Sequence, residues 1–396
     1  MFKDSVIVSM ARTAVGGFGG SLKSLSAVDL GVVSVKEALK RAGLTGDEVD
    51  EVVYGCVGQY GLNAFISRLV SLKSGIRESA SAQTVNRMCA SGLQAIVTAS
   101  QLIENGDADV VVAGGAESMS NYPYTLQDAR WGMRMGMGST ALLDSLQTAL
   151  CEPTTGEKQH IGITAENIAA KYGLTREELD AYALESQERA AKAIAEGKFK
   201  DEIVPVEIKS RKETIVFDTD EHPRATTMEK LGKLRPFVKA DGVVTAGNAS
   251  GVNDAGAALV IMSRQKAEEL GLKPIARVVD FATAGVDPQY MGMGPVASTE
   301  KLLKKTGMKL EDIGVAELNE AFASQALACI REIGIDPAIT NVNGSGISLG
   351  HPIGATGAII SIKLISEMKR RGVRYGLASL CIGGGQGMSV IFENLD

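Results

Sequence analysis

Ser91-Gly-Leu-Gln-Ala-Ile-Val-Thr-Ala-Ser-Gln-Leu-Ile-Glu-Asn-Gly-Asp-Ala-Asp-Val-Val-Val-Ala-Gly-Gly, residues 91–115, reads as helix, short turn, apolar strand and double glycine. Ala95, Ile96, Ala99, Leu102 and Ile103 follow a helical period. The same order returns in Thr356 to Gly384, which ends Leu-Ala-Ser-Leu-Cys-Ile-Gly-Gly. A second pair of segments repeats as well. Lys36-Glu-Ala-Leu-Lys-Arg-Ala-Gly-Leu-Thr-Gly-Asp-Glu-Val-Asp matches Glu300-Lys-Leu-Leu-Lys-Lys-Thr-Gly-Met-Lys-Leu-Glu-Asp-Ile-Gly. Each is an amphipathic helix closed by a glycine (Gly43, Gly307), then an acidic turn and a β-like run. The elements recur in one order, so the chain is read as a duplication. Alternating strands and helices predict an α/β fold built from βαβ units with mostly parallel, buried strands.

The character changes between the repeats. Residues 121–250 hold Pro123, Trp131, methionines at 133, 135 and 137, and a helical stretch Thr175–Lys198. A basic run follows, with Lys209, Arg211, Lys212, Arg224, Lys230, Lys233 and Arg235. This segment is read as an insertion. Alone, its charges suit a solvated surface better than a cationic lid over a phosphate-bearing ligand. The expected division is residues 1–120 with 251–273 as a first half, 121–250 as the insertion, and 274–396 as a second half.

Three reactive side chains lie among glycines: Cys89 in Asn86-Arg-Met-Cys-Ala-Ser-Gly, His351 in Gly350-His-Pro-Ile-Gly-Ala-Thr-Gly, and Cys381 in Leu380-Cys-Ile-Gly-Gly-Gly-Gln-Gly. Cys89 opens the helix that starts at Ser91, so its sulfur is expected near free amide hydrogens and a positive helix end. That setting predicts a lowered thiol pKa and a nucleophile. His351 is one of three histidines, with His160 and His222, and stands in a Gly/Pro loop. Imidazole suits the base for a thiol. Cys381 ends an apolar strand, where a buried structural thiol is the default; the glycines after it offer amide groups for an oxyanion. Asn319, after another strand, is placed to orient a water or the histidine. Cys56, Cys151 and Cys329 have no comparable setting. Two thiols and an imidazole suggest covalent acyl chemistry at carbon. The small-residue run Gly247-Asn-Ala-Ser-Gly-Val-Asn-Asp-Ala-Gly fits neither the P-loop nor the dinucleotide spacing, but permits a long thin ligand to lie on backbone.

With 396 residues and 45 glycines the chain is long enough for two or three domains. A net charge of −6 argues against a bulk nucleic-acid binder. Five scattered cysteines without CxxC or Cys/His ligand spacing predict a reduced, cytoplasmic protein without a metal site. The apolar stretch Val6–Met10 is too short for a secretory leader, and no apolar run predicts a membrane span.

Read together, these segments resemble the thiolase family along essentially the whole chain. The resemblance rests on Arg12-Thr-Ala-Val-Gly, Asn86-Arg-Met-Cys-Ala-Ser-Gly-Leu-Gln-Ala, Gly114-Gly-Ala-Glu-Ser-Met-Ser and Ile163-Thr-Ala-Glu-Asn. It continues in Thr245-Ala-Gly-Asn-Ala-Ser-Gly, Asn319-Glu-Ala-Phe-Ala, Gly350-His-Pro-Ile-Gly and Cys381-Ile-Gly-Gly-Gly-Gln-Gly. It implies two duplicated halves with mixed sheets and helices in layers, plus an inserted loop domain. It implies reversible condensation of two acetyl-CoA to acetoacetyl-CoA and CoA; the alternative is thiolysis of longer 3-ketoacyl-CoA. A Cys-His hydrolase and a non-catalytic acyl-CoA or lipid carrier are the readings from other classes.

The roles implied by the resemblance are specific. Cys89 becomes acylated, His351 takes its proton and helps hold the thioester oxygen, and Cys381 moves the α-carbon proton. Asn319 holds a water that with His351 makes one oxyanion hole, and the N–H groups of Cys89 and Gly383 make the other. Coenzyme A, a substrate and not a cofactor, passes near His160, Arg224, Leu234, Ala246 and Ser250, with Met291 and Phe322 lining the pantetheine tunnel. No nucleic-acid or membrane partner is implied; the assembly expected is a homotetramer, with a dimer as the alternative and the stretch Trp131–Met137 a tetramer contact or core filler. The departures are Thr356 for a common serine, Ile161 after His160 for a frequent methionine, and Ile66-Ser67 for a common Pro-Ala. None is expected to touch the catalytic groups.

Overall fold

A computed structural model describes residues 4–126, 129–130, 141–154, 159–209 and 213–396. Nine principal strands carry the fold: β1 (Ser5–Thr13), β2 (Glu51–Gly55), β3 (Ser81–Val85), β4 (Val110–Ser118), β5 (Asn253–Ser263), β6 (Ala276–Gly285), β7 (Ile313–Leu318), β8 (Tyr375–Ile382) and β9 (Gln386–Asn394). They form one sheet in the order β7-β8-β9-β6-β1-β5-β4-β2-β3. The join is the single pairing Ile7↔Ala276 between β1 and β6. Outward from that join the halves repeat each other. β1/β5 and β5/β4 are antiparallel and β4/β2 and β2/β3 parallel. β6/β9 and β9/β8 are antiparallel, β8/β7 is parallel, and a parallel bridge Ala316↔Thr340 follows.

The expectation of mostly parallel strands is corrected by β5 and β9, which run against their neighbours. β9 follows β8 directly through Gly383–Gly385, where φ is 86° at Gly384 and 85° at Gly385. That is a hairpin turn needing glycine, and its flanking apolar runs pair antiparallel.

Seven helices matter here: α1 (Ala27–Arg41), α2 (Ser91–Asn105), α3 (Gly162–Tyr172), α4 (Arg176–Ala195), α5 (Gly294–Thr306), α6 (Ala323–Ile333) and α7 (Ile353–Arg371). α1 starts in a capping box between Ser26 and Asp29. The repeated helices close at left-handed glycines, Gly43 beyond α1 and Gly307 at the cap of α5.

Strand alternation sorts the core. Val111 and Ala113 of β4 pack with Ile96 and Ile103 of α2 and Ile359 and Ile362 of α7, whereas Val110 and Val112 pack with Val35 and Ala38 of α1. In the second half Val278, Ala378 and Val390 join α7, while Ala282, Leu377 and Ile391 join Leu302 of α5. The order is therefore helix, sheet, central helix pair, sheet, helix. α2 and α7 approach backbone to backbone: a Cβ on Gly92 would lie 2.8 Å from Ala358 N, and one on Gly357 2.3 Å from Leu93 N. Only glycine permits this contact, and it brings together the two helix starts that carry Cys89 and His351.

Residues 119–252 form an excursion between β4 and β5, whose Ile203 and Val204 pair in parallel with Arg12 and Thr13 of β1. The excursion is bound to the core through buried charge. Arg12 of β1 pairs with Glu202 at 3.1 Å and Asp220 at 2.8 Å. Glu320 accepts from Ser186 of α4 at 2.7 Å and from Ile347 N at 3.2 Å. The segment is thus anchored to the core, while the described members of its basic run, Lys209, Arg224, Lys230, Lys233 and Arg235, are exposed as a solvated face. Trp131–Met137, with Arg211 and Lys212, lies outside the described residues. Cys56 stands one residue beyond β2 and is buried.

Candidate active site

Cys89 sits in the turn between β3 and α2. Asn86 Oδ1 accepts from Met88 N (3.0 Å), and Ser91 Oγ bridges Arg87 N (2.9 Å) and Met88 O (2.6 Å). Met88 is held at φ 45°, a left-handed conformation costly for a side-chain residue. This tight turn aims Cys89 into a cleft of about 780 Å³. The same cleft is lined by His351, Cys381 and Gly383.

The N–H groups of Gly383 and of Cys89 itself point at the Cys89 sulfur, and both favour its thiolate. Burial outweighs them and pushes the thiol up to about 11. The predicted lowering at the helix start is therefore corrected. The resting group is a thiol, because desolvation in an enclosed site costs an anion more than two amides return.

His351 is buried and its pKa falls to about 4, again through burial, so the ring is neutral at pH 7. Its Nδ1 lies 2.7 Å from Thr356 Oγ1. That hydroxyl has one proton, which it donates to Pro352 O at 2.9 Å. It must therefore accept from Nδ1–H, which leaves Nε2 with a lone pair toward the site. Asn319 Nδ2 is 3.5 Å from that Nε2. Asn319 Oδ1 is buried and has no donor among the described residues. Cys381, at the end of β8, is 1% exposed, and burial holds its thiol well above the usual value, with the nearby Cys89 adding to the effect.

Every expected coenzyme A contact lines the same cleft: His160, Arg224, Leu234, Ala246, Ser250, Met291 and Phe322. His160 Nδ1 accepts from Gly162 N at 3.0 Å, which leaves its Nε2–H free to donate. Its ring stands edge-on to Phe237, centroids 5.3 Å apart. Arg224 and Lys230 stand exposed at the mouth. Asn319 is not among the residues lining the cleft, but its Nδ2 stands at the same Nε2 of His351 that faces it.

Two departures do reach the catalytic groups, contrary to expectation. Thr356 sets the tautomer of His351. Ile161 Cδ1 lies 3.5 Å from where a Cβ on Gly383 would stand. Ser67 bonds instead with Gln83 O and Thr84.

Sequence reasoning passed over Glu117. Its buried carboxylate accepts from Val57 N, Gly58 N, Gly354 N and Tyr122 OH, each at 2.9–3.0 Å, and so fixes the first turn of α7. A carboxylate inside an otherwise apolar strand was the available signal.

A core shared by two similar half-folds, with a half-buried thiol, a buried thiol and a neutral imidazole at one cleft, defines an acyl-transfer enzyme. Comparison with known proteins agrees. The Thiolase, N-terminal domain family matches residues 5–265, and the Thiolase, C-terminal domain family residues 272–394. The chain belongs to the thiolase family of acyltransferases. It is 50% identical to an acetyl-CoA acetyltransferase of Syntrophomonas wolfei and 52% identical to beta-ketothiolase BktB of Cupriavidus necator, each over 100% of both chains. The solved Bacillus anthracis acetyl-CoA acetyltransferase superposes with a TM-score of 0.96 at 47% identity, covering 100% of this chain and 99% of that one. Human mitochondrial 3-ketoacyl-CoA thiolase, solved in complex with CoA, gives 0.95 at 41% identity with the same coverage.

Proposed function

We propose that the protein is an acetyl-CoA C-acetyltransferase that condenses two acetyl-CoA to acetoacetyl-CoA and CoA, reversibly, through acetyl-Cys89. The observation that carries this reading is the placement of two protonated thiols and one neutral imidazole at a single cleft, with Gly383 N–H on the Cys89 sulfur.

The resting protonation states give a closed cycle. Cys89 loses its proton to His351 Nε2 and attacks the thioester carbonyl. The departing CoA sulfur takes the Cys381 proton. Acetyl-Cys89 is then flanked by an imidazolium and a Cys381 thiolate, an ion pair that offsets the cost of each buried charge. The Cys381 thiolate takes an α-proton from the second acetyl-CoA. The resulting carbon attacks acetyl-Cys89, and the released Cys89 sulfur recovers its proton from His351. The Cys89 and Gly383 amides hold the oxygen of the acyl-enzyme, and His351 with a water on Asn319 holds that of the incoming thioester. Each such donor contributes about 3 kcal/mol to the transition state.

Arg224 and Lys230 are assigned to the phosphates of coenzyme A, and the apolar wall from Leu234 to Met291 and Phe322 to its pantetheine arm. No metal is required, and activity should survive exhaustive EDTA treatment. Five free thiols, one of them the nucleophile, suit the reducing cytoplasm. A homotetramer is the assembly assigned. The exposed edge of β3, with Leu62, Phe65 and Leu72 near it, suits one contact, and exposed Tyr124, Leu142 and Leu143 suit another. Light scattering tests the mass. The substrate assignment is tested by kcat/KM for thiolysis against acyl-chain length. A maximum at acetoacetyl-CoA supports it, and a rise with longer chains moves the enzyme to 3-ketoacyl-CoA degradation.

A further inference from the structure

The run Gly247–Gly256 contains Asn253, whose side chain joins two histidines. Asn253 Oδ1 accepts from His351 N at 2.9 Å, and Nδ2 donates to Gly16 O at 3.0 Å. Both partners are backbone groups of fixed role, so the amide can be oriented only this way. The second Nδ2 hydrogen faces His222 Nδ1 at 3.3 Å. His222 Nδ1 must then be the acceptor. The ring also lies near the backbone of Ile347, which favours its protonated form. The Asn253 contact alone fixes the tautomer: with Nδ1 accepting, the neutral His222 carries its proton on Nε2.

We propose that His222 is a positioning residue for His351, acting through Asn253, and that it does so only while neutral. This rests on His351 being the base of the acyl-transfer reaction. A proton on Nδ1 would face the Asn253 amide hydrogens. Turning the amide over would set Nδ2 against His351 N–H and Oδ1 against Gly16 O. Either arrangement loosens the loop that seats the catalytic imidazole. The groups facing His222 are Arg224, whose charge opposes protonation, and Asp220, which favours it but is held by Arg12. Glu221 is occupied by Gly17 N and Ser21. His222 also lines the coenzyme A cleft beside Arg224. Burial first, and then the Arg224 charge, hold His222 below the usual imidazole value; a ligand phosphate on Arg224 would weaken the second of these, so the switch is open to substrate occupancy.

The chain has three histidines, so each ring can be followed by two-dimensional ¹⁵N NMR of the histidine-labelled intact protein. At pH 7.5 His222 should show the Nε2–H pattern and His351 the Nδ1–H pattern. On acidification the Nδ1–H signal of His351 should shift in step with the protonation of His222, before His351 itself titrates. His222→Phe should lower kcat by about tenfold, the effect of one lost positioning hydrogen bond. His222→Gln, which can accept from Asn253, should restore most of that loss and remove the acid limb of the kcat profile assigned to His222. A His222 with Nδ1–H at neutral pH, or a His351 signal indifferent to His222 protonation, would overturn the proposal on the wild-type protein alone. If His351→Ala keeps full acyl transfer, the underlying reading fails instead.

Discussion

Cys89 and Cys381 are held as thiols by the same burial that makes them effective once charged, so the site is silent until substrate enters. Free-enzyme reactivity should show this. The rate of Cys89 alkylation by iodoacetamide should climb about tenfold per pH unit above neutrality and level near the thiol pKa of about 11. A plateau reached below pH 8 would mean a preformed thiolate. Below the limb assigned to His222, the final loss on the acid side follows from His351. With a pKa of about 4, its neutral form persists on lowering the pH to about 5, and only below that does protonation remove the base. Cys89→Ser should abolish turnover, because a hydroxyl beside the same imidazole is a far weaker nucleophile. Near-wild-type turnover in that variant would remove Cys89 from the role of acyl carrier.

At the scale of elements, the crossing of α2 with α7 sets the distance between the reactive groups. Gly357→Ala places a methyl carbon on the backbone of Leu93 and should cost about 1–3 kcal/mol. The urea midpoint should fall, and kcat with it, since the two helix starts separate. A variant with unchanged midpoint would show that the contact is loose. The repeats predict this crossing only in part. Helix 91–105 was legible from its periodicity, and helix 353–371 from the recurrence of helix, turn, apolar strand and double glycine in the same order. That they face each other was not, because the contact joins residues more than 250 positions apart. The antiparallel strands β5 and β9 were hidden for the same reason: a strand's direction depends on its neighbours, and only the hairpin at Gly384 had a local signal. Cys89, His351 and Cys381 were legible because glycines frame them. Thr356, Glu117 and Asn253 were not, since each acts through one partner chosen by the fold.

At the scale of the molecule, the excursion between β4 and β5 is bound to the core by buried ions and forms the mouth of the cleft. Arg12→Leu leaves the Asp220 carboxylate buried without its cation and Glu202 with only the longer pair to Arg370 at 3.7 Å, and should cost about 3–5 kcal/mol in urea denaturation. Arg224→Ala leaves the core untouched. It should raise KM for CoA and acetyl-CoA with little change in kcat, because a contact remote from the reacting carbon binds ground and transition states alike. An equal loss with dephospho-CoA would exclude the ribose phosphate as its partner.

The division of labour between the two thiols is the central claim, and Cys381→Ala tests it most directly. Intact mass spectrometry of the variant after acetyl-CoA should find one acetyl group, on Cys89. Solvent-exchange NMR on the same sample should find the acetyl-CoA methyl protons no longer exchanging with deuterium, and condensation slowed by about 10²–10⁴-fold. Exchange at the wild-type rate would reduce Cys381 to a packing residue, and an acetyl group carried anywhere other than Cys89 would contradict the mechanism.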